Sequence, residues 1–241
     1  FGIWDLGFGI WDLGFGIYNP PMPLSIHSLS DIAARIDQPF SLISLGLVGD
    51  IGAHLYVAQG QLNWHKHIDE DELFLVHEGA VQIETELGSA ALRAGEAMLV
   101  PKGVGHRSGS ARRSVVLLIR QQVFPERKNG HRNYLVTEKE TTLKKIRVGQ
   151  SGAPTARPFE PASLMRLDDY GLTVFVALDS GPAENAKAGG ALLYALRGAV
   201  RIQTDDGPAL LEAGQLVILP SHTAYQIHSA QPAVVVKFER E

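Results

Sequence analysis

The sequence has no cysteine. That absence removes disulfides, thiolate metal sites and cysteine nucleophiles together. It fits a reducing compartment, and a cytoplasmic location is expected. No run of about 18 consecutive apolar residues occurs, so no membrane-spanning helix is expected. A large charge of either sign is also missing. The formal net charge of −4 gives no electrostatic reason to expect nucleic acid or an anionic membrane surface as a partner. A secretory leader would combine a basic start with an unbroken apolar run. Here Asp5 and Asp12 interrupt the first residues, and no leader is expected.

What is present describes an ordinary globular protein. Its 241 residues allow one large or two ordinary domains. Hydrophobic residues make up 45% and charged residues 20%, enough for a sizeable core. The first residues are unusual: Phe1 to Gly7 is repeated letter for letter at Phe8 to Gly14, and Phe15 begins a third copy. The stretch is either an extension foreign to the folded protein or an apolar arm that packs on it or on a partner chain.

Ser30 to Asp37 reads as a short helix, with Ser30 as N-cap and Ile32 and Ile36 on one face. From Ser41 to Val123 the pattern changes to short apolar or alternating runs broken by glycine, the signature of strands. Gly46, Gly49 and Gly52 have the wrong spacing for a dinucleotide fingerprint and no helix pattern follows, so they mark a strand, a turn and a second strand. Phe124 to Pro161 is rich in lysine and arginine and poor in large apolar residues, as solvated linkers are. Strand patterns resume after it. The second half repeats the first: Glu78 to Thr85 matches Arg197 to Thr204 at an offset of 119 residues. The same offset carries Gly88, Leu92, Gly95 and Pro101 onto Gly207, Leu211, Gly214 and Pro220.

The chemistry-bearing residues are confined to the first copy. In a strand, residues i and i+2 face one side, so His65 and His67 should point into one space. A turn beyond them brings in Glu72, and the Pro101–Gly105 turn returns a strand carrying His106. Two spaced histidines alone are a weak signal. Three with a carboxylate, framed by turn glycines, point to a metal site. Imidazole suits Zn, Cu, Fe or Ni, and the added carboxylate suits Fe(II) or Mn(II).

These two segments resemble the paired motifs of the cupin superfamily. In the first, Gly60, His65, His67, Glu72 and Gly79 match, with one residue fewer than usual between Gly60 and His65. In the second, Gly95, Pro101, Gly103 and His106 match, and Ser110 stands where the family has asparagine. The resemblance implies an all-β fold of two double-stranded β-helix (jelly-roll) barrels with a short N-terminal helix, a bicupin. It divides the chain into an arm and helix (1–39), a metal-binding barrel (40–123), a linker (124–162) and a second barrel (163–241). It implies one divalent transition metal, Fe, Mn, Zn or Ni, held by His65, His67, Glu72 and His106. At the 119-residue offset those four fall on Glu184, Ala186, Ala191 and Tyr225, so the second copy is expected to be metal-free.

Alternation suggests which residues line the pocket. Gln61 and Asn63 share the face of the two histidines, Phe74 and Val76 that of Glu72, and Ser108 follows His106 inward. Val81 and Ile83 should fill the interior. No lysine or arginine is expected to point inward, which argues against a strongly anionic substrate. His77 should lie outside, near an interface. The expected function is a metal-dependent oxygenase acting on a small, largely apolar or aromatic oxygenated compound. A lyase or isomerase, or a non-enzymatic ligand-binding cupin, is the alternative. A small-molecule ligand and a homodimer are the expected partners.

Overall fold

The computed structural model describes residues 24–122, 143–151 and 157–241. The repeated N-terminal stretch lies outside the described residues. The first part of the chain forms β1 (Ile26–Ser28), α1 (Leu29–Ala33), β2 (Ile43–Val48), β3 (Ile51–Gln61), β4 (Glu72–Glu78), β5 (Ala80–Thr85), β6 (Gly88–Arg93), β7 (Glu96–Val100) and β8 (His106–Gln121). The second forms β9 (Lys145–Arg147), α2 (Val148–Ser151), β10 (Ala162–Leu167), β11 (Tyr170–Asn185), β12 (Ala191–Arg197), β13 (Val200–Thr204), β14 (Gly207–Leu211), β15 (Gln215–Leu219) and β16 (Ala224–Arg240). Within the stretch read from sequence as linker, residues 145–151 are therefore structured. No helix of the described residues is long and apolar enough to cross a membrane.

The strands form two eight-stranded sheets with jelly-roll-like order. One runs β2-β3-β8-β4-β7-β9 with β5 and β6 attached to β8; the other runs β1-β15-β12-β16-β11-β10 with β13 and β14 attached to β16. Among the described residues the expected closed barrels do not form, because neither sheet's ladder returns to its own start. The cause lies along β8. Its first residues pair with β5, from Thr85↔His106 to Gln82↔Gly109, and its later ones with β4, from Glu78↔Val115 to Glu72↔Arg120. β4 and β5 thus follow one another along a single edge of β8. Between them Gly79 takes φ 78° and its backbone closes on Ser114, whose Oγ accepts the Ala80 N–H at 3.0 Å. Any Cβ at Gly79 would collide with Ser114. The β5–β6 pair leaves there as an arm, and β6 pairs with β5 alone.

The first strand of each repeat belongs to the other repeat's sheet. β1 pairs with β15 (Ile26↔Val217), and β9 pairs with β7 (Met98↔Lys145). The helices follow suit: Leu29 N donates to Gly214 O at 3.2 Å, and Val148 N to Gly95 O at 2.9 Å. Each of these pairings repeats the other at the 119-residue offset. A hydrophobic core crosses the seam, joining Leu55, Leu73 and Leu117 of one half to Leu172, Tyr194 and Phe238 of the other. His77 also stands at the seam, its Nδ1 2.8 Å from Tyr194 Oη and its Nε2 3.0 Å from Ser30 Oγ. The expected helix is shorter than its pattern, and its N-cap is Ser28, whose Oγ accepts from Asp31 N at 3.4 Å. Ser30 instead engages His77 and Glu78.

Candidate metal centre

His65 and His67 lie just past the end of β3, in a loop and not within a strand. They still face one space. An isolated bridge couples His65 to His106: His65 N donates to His106 O at 3.0 Å, and His106 N to His65 O at 2.8 Å. Exposure alternates around the pair, with Trp64, Lys66 and Ile68 outward. Glu72 opens β4 and His106 opens β8. The turn before His106 is pinned to the ligand loop, since Gly103 N donates to His67 O at 2.6 Å and Lys102 N to Asp71 Oδ1 at 2.7 Å.

One ligand atom from each of His65, His67, Glu72 and His106 lies within 4.8 Å of the others. The cluster is capable of coordinating a metal ion. Two of its imidazoles are already oriented for that role. His65 Nδ1 donates to Asn63 O at 2.9 Å and His106 Nδ1 to Val104 O at 3.0 Å. A carbonyl can only accept, so Nδ1 carries the proton in both rings, and Nε2 is the atom left for a metal. His106 Nε2 lies 2.8 Å from Glu72 Oε2, and His67 Nε2 lies 3.4 Å from Glu72 Oε1. Arg120 Nη1 is 3.4 Å from Glu72 and 3.5 Å from Glu70.

These contacts set the protonation states. Burial alone would lower the His106 imidazole, but hydrogen bonds with Glu72 and Val104 hold it above its ordinary value. Burial alone would raise the Glu72 carboxyl, but His106, His67 and Arg120 hold it below its ordinary value. The pair stabilises the fold between those two limits. The Glu72 contribution is lost as pH falls through its depressed value, and that of His106 as pH rises through its raised one. A metal needs the imidazoles neutral. Co(II) affinity is therefore expected to fall steadily as the solution is acidified, with net proton release on binding near neutral pH. Calorimetry in two buffers of different ionisation enthalpy reads both effects, and an affinity indifferent to pH would contradict them.

A cavity of about 140 Å³ opens beside the cluster, lined by Phe40, Leu42, Tyr56, Leu62, Phe74, Ser108, Leu118 and Arg120 with the four ligand-type residues. Phe74 and Ser108 stand on this wall. Gln61 does not; its amide donates to Glu84 at 3.2 Å. Asn63 is exposed and reaches the site through its carbonyl alone. Val76 is buried in a core cluster with Val81 and Ile83. The expectation of no inward cation fails on Arg120, whose place follows from the β4–β8 register that sets it opposite Glu72. Tyr56 gave no sequence signal, because β3 is buried on both faces over most of its length and offers no alternation to read; Phe40 gave none because it lies in a turn before β2. A larger cleft of about 720 Å³ opens at the seam, next to His77 and Tyr194. It shares no residue with the cluster, so the smaller cavity is the one tied to the ligand-type donors.

At the corresponding place in the second half, Tyr225 Oη donates to Glu184 Oε2 at 2.8 Å. Lys237 Nζ lies 2.8 Å from Glu184 and 3.0 Å from Glu239. The register is preserved: Glu184↔Tyr225 repeats the His65↔His106 bridge. An ammonium group thus sits among the carboxylates there, and Ala186 and Ala191 offer no donor atom.

The family model described as a cupin domain matches residues 54–119. YdbB of Bacillus subtilis (strain 168), described only as an uncharacterized protein, is 36% identical over 95 residues, which are 39% of this chain and 84% of YdbB. The chain belongs to the cupin family, through a cupin domain that carries all four ligand-type residues. Two solved structures share the fold over most of the chain. The Cupin 2 conserved barrel domain protein from Leptotrichia buccalis gives a TM-score of 0.70 at 10% identity, over 92% of this chain and 99% of that one. The salicylate 1,2-dioxygenase from Pseudaminobacter salicylatoxidans gives 0.69 at 10% identity, over 92% and 85%.

Proposed function

We propose that the chain is a metal-dependent enzyme of the bicupin type, with dioxygenase-type chemistry on a small, largely apolar or aromatic oxygenated compound. The observation that carries this reading is the pair of backbone carbonyls, Asn63 O and Val104 O, that turn His65 and His106 Nε2 toward Glu72 and His67. An internal hydrogen-bond network needs no such alignment of four donors, whereas a metal does. The three nitrogens and one oxygen suit Fe(II), Mn(II), Zn(II) or Ni(II). A bound divalent ion would supply Lewis acidity and open positions for substrate oxygen and dioxygen.

The chain's own residues do the rest. Phe40, Leu42, Leu62, Phe74 and Leu118 line the cavity with apolar surface and fit an apolar body. Arg120, held by Glu70 and Glu72, places one positive group at its edge. The second half supports the fold: Lys237 takes the place of a cation beside Glu184 and Glu239.

The test is oxygen uptake by Fe(II)-loaded protein with catechols, β-diketones and aromatic hydroxy acids. The dioxygenase likeness in fold makes salicylate a natural first compound. Uptake that depends on both metal and compound is expected. Turnover without oxygen uptake would assign a lyase or isomerase instead, and binding without turnover a ligand-binding protein.

A further inference from the structure

Tyr56 is a polar group at the cavity whose hydroxyl finds no full hydrogen-bond partner among the described residues. It is 3% exposed, and its Oη is buried without a hydrogen-bond partner. Ser108, equally buried, stands on the same wall, close enough to act on the Tyr56 hydroxyl yet outside the geometry of a full hydrogen bond. A phenol hidden from water and left unpaired is costly, and its presence calls for a cause.

The second half provides an internal control. Phe175 occupies the place of Tyr56, paired with Val235 as Tyr56 is with Val116. Phe159 occupies the place of Phe40. The Phe40–Tyr56 rings are 6.0 Å apart at 30°, and the Phe159–Phe175 rings 5.9 Å apart at 34°. Ile227 occupies the place of Ser108, opposite Ile202 as Ser108 is opposite Ile83. The scaffold therefore requires the ring and an inward side chain, and requires neither hydroxyl. Both hydroxyls occur only in the half that has the metal ligands.

We infer that the Tyr56 and Ser108 hydroxyls bind an oxygen of a small chelating ligand, no larger than a single ring, seated beside the four-ligand cluster. The inference rests on the metal-centre reading above. Burial pushes the Tyr56 phenol well above its ordinary value, so it remains a donor and selects an acceptor atom on the ligand. The cavity of about 140 Å³ is close to the size that admits benzene in a protein interior, so a ligand of one ring fits it.

The experiment uses the full chain loaded with Co(II). Metal content is measured, and catechol and 2,3-dihydroxynaphthalene are titrated while the cobalt visible bands are followed. Tyr56→Phe is expected to keep its metal and to bind catechol about tenfold more weakly, the loss of one hydrogen bond. Ser108→Ala is expected to shift in the same direction. The bicyclic diol is expected to bind the unaltered protein more weakly than catechol does. Equal catechol affinity in Tyr56→Phe and the unaltered protein, with metal present in both, overturns the inference and leaves the metal centre standing. Failure of the unaltered, cobalt-loaded protein to bind catechol also overturns it. Failure of the unaltered protein to take up cobalt overturns the metal-centre reading and the inference with it.

Discussion

A chain carrying both His67→Ala and Glu72→Ala is expected to fold and to take up no divalent metal. The second half shows why it folds: Ala186 and Ala191 stand at those two positions, both fully buried, in the same strand framework. Arg120 keeps Glu70 as a partner when Glu72 is gone. His106 loses its 2.8 Å contact with Glu72, a cost of about 1–3 kcal/mol that leaves a cooperative fold. Metal binding has no such reserve. Removing an outer partner of a metal ligand already costs about 10–100-fold in affinity, so removing two ligands should exceed a hundredfold. Elemental analysis after equilibration with Co(II), beside a thermal melt, separates the two effects. Full metal occupancy in the double variant would show that the ligand set is wrong.

The exchanged strands lead to the second large effect. A piece ending at residue 122 lacks β9 and retains a β1 with no β15 to pair with. It also leaves Glu96, buried near the edge of β7, without Lys145 at 2.6 Å and Arg147 at 3.3 Å. The hydrophobic core that crosses the seam is cut as well. Neither residues 1–122 nor residues 143–241 should unfold cooperatively when produced alone. Produced together, they should co-purify one to one and regain a single melting transition. Independent cooperative folding of either piece would contradict the exchange.

The four-residue cluster was legible because metal chemistry restricts residue types and the turns restrict spacing. Gly60, Gly79, Gly95 and Gly103 all take positive φ, where glycine is favoured; Gly60 and Gly103 precede the histidine-bearing segments, and Gly79 and Gly95 mark turns between strands. The repeat was legible for the same reason, since turn glycines survive where ligands do not. The open sheets were not legible. Closure depends on whether β6 meets another edge, and its residues carry no sign of that. The exchange was hidden because β1 and β9 are three residues each, too short for alternation to show. Arg120 was missed because its position depends on the pairing of β8 with β4, a relation between distant segments. His65 and His67 share a side, as alternation implied, but a single bridge to His106 holds them there.

The central claim is that His65, His67, Glu72 and His106 hold one divalent transition metal per chain. Crystals of protein purified without an affinity tag, measured on both sides of the Fe, Mn, Zn and Ni absorption edges, test it directly. One anomalous peak per chain is predicted, bonded to Nε2 of His65, Nε2 of His106, a nitrogen of His67 and a carboxylate oxygen of Glu72. No peak there, in protein that also fails to bind added metal in solution, would contradict the claim.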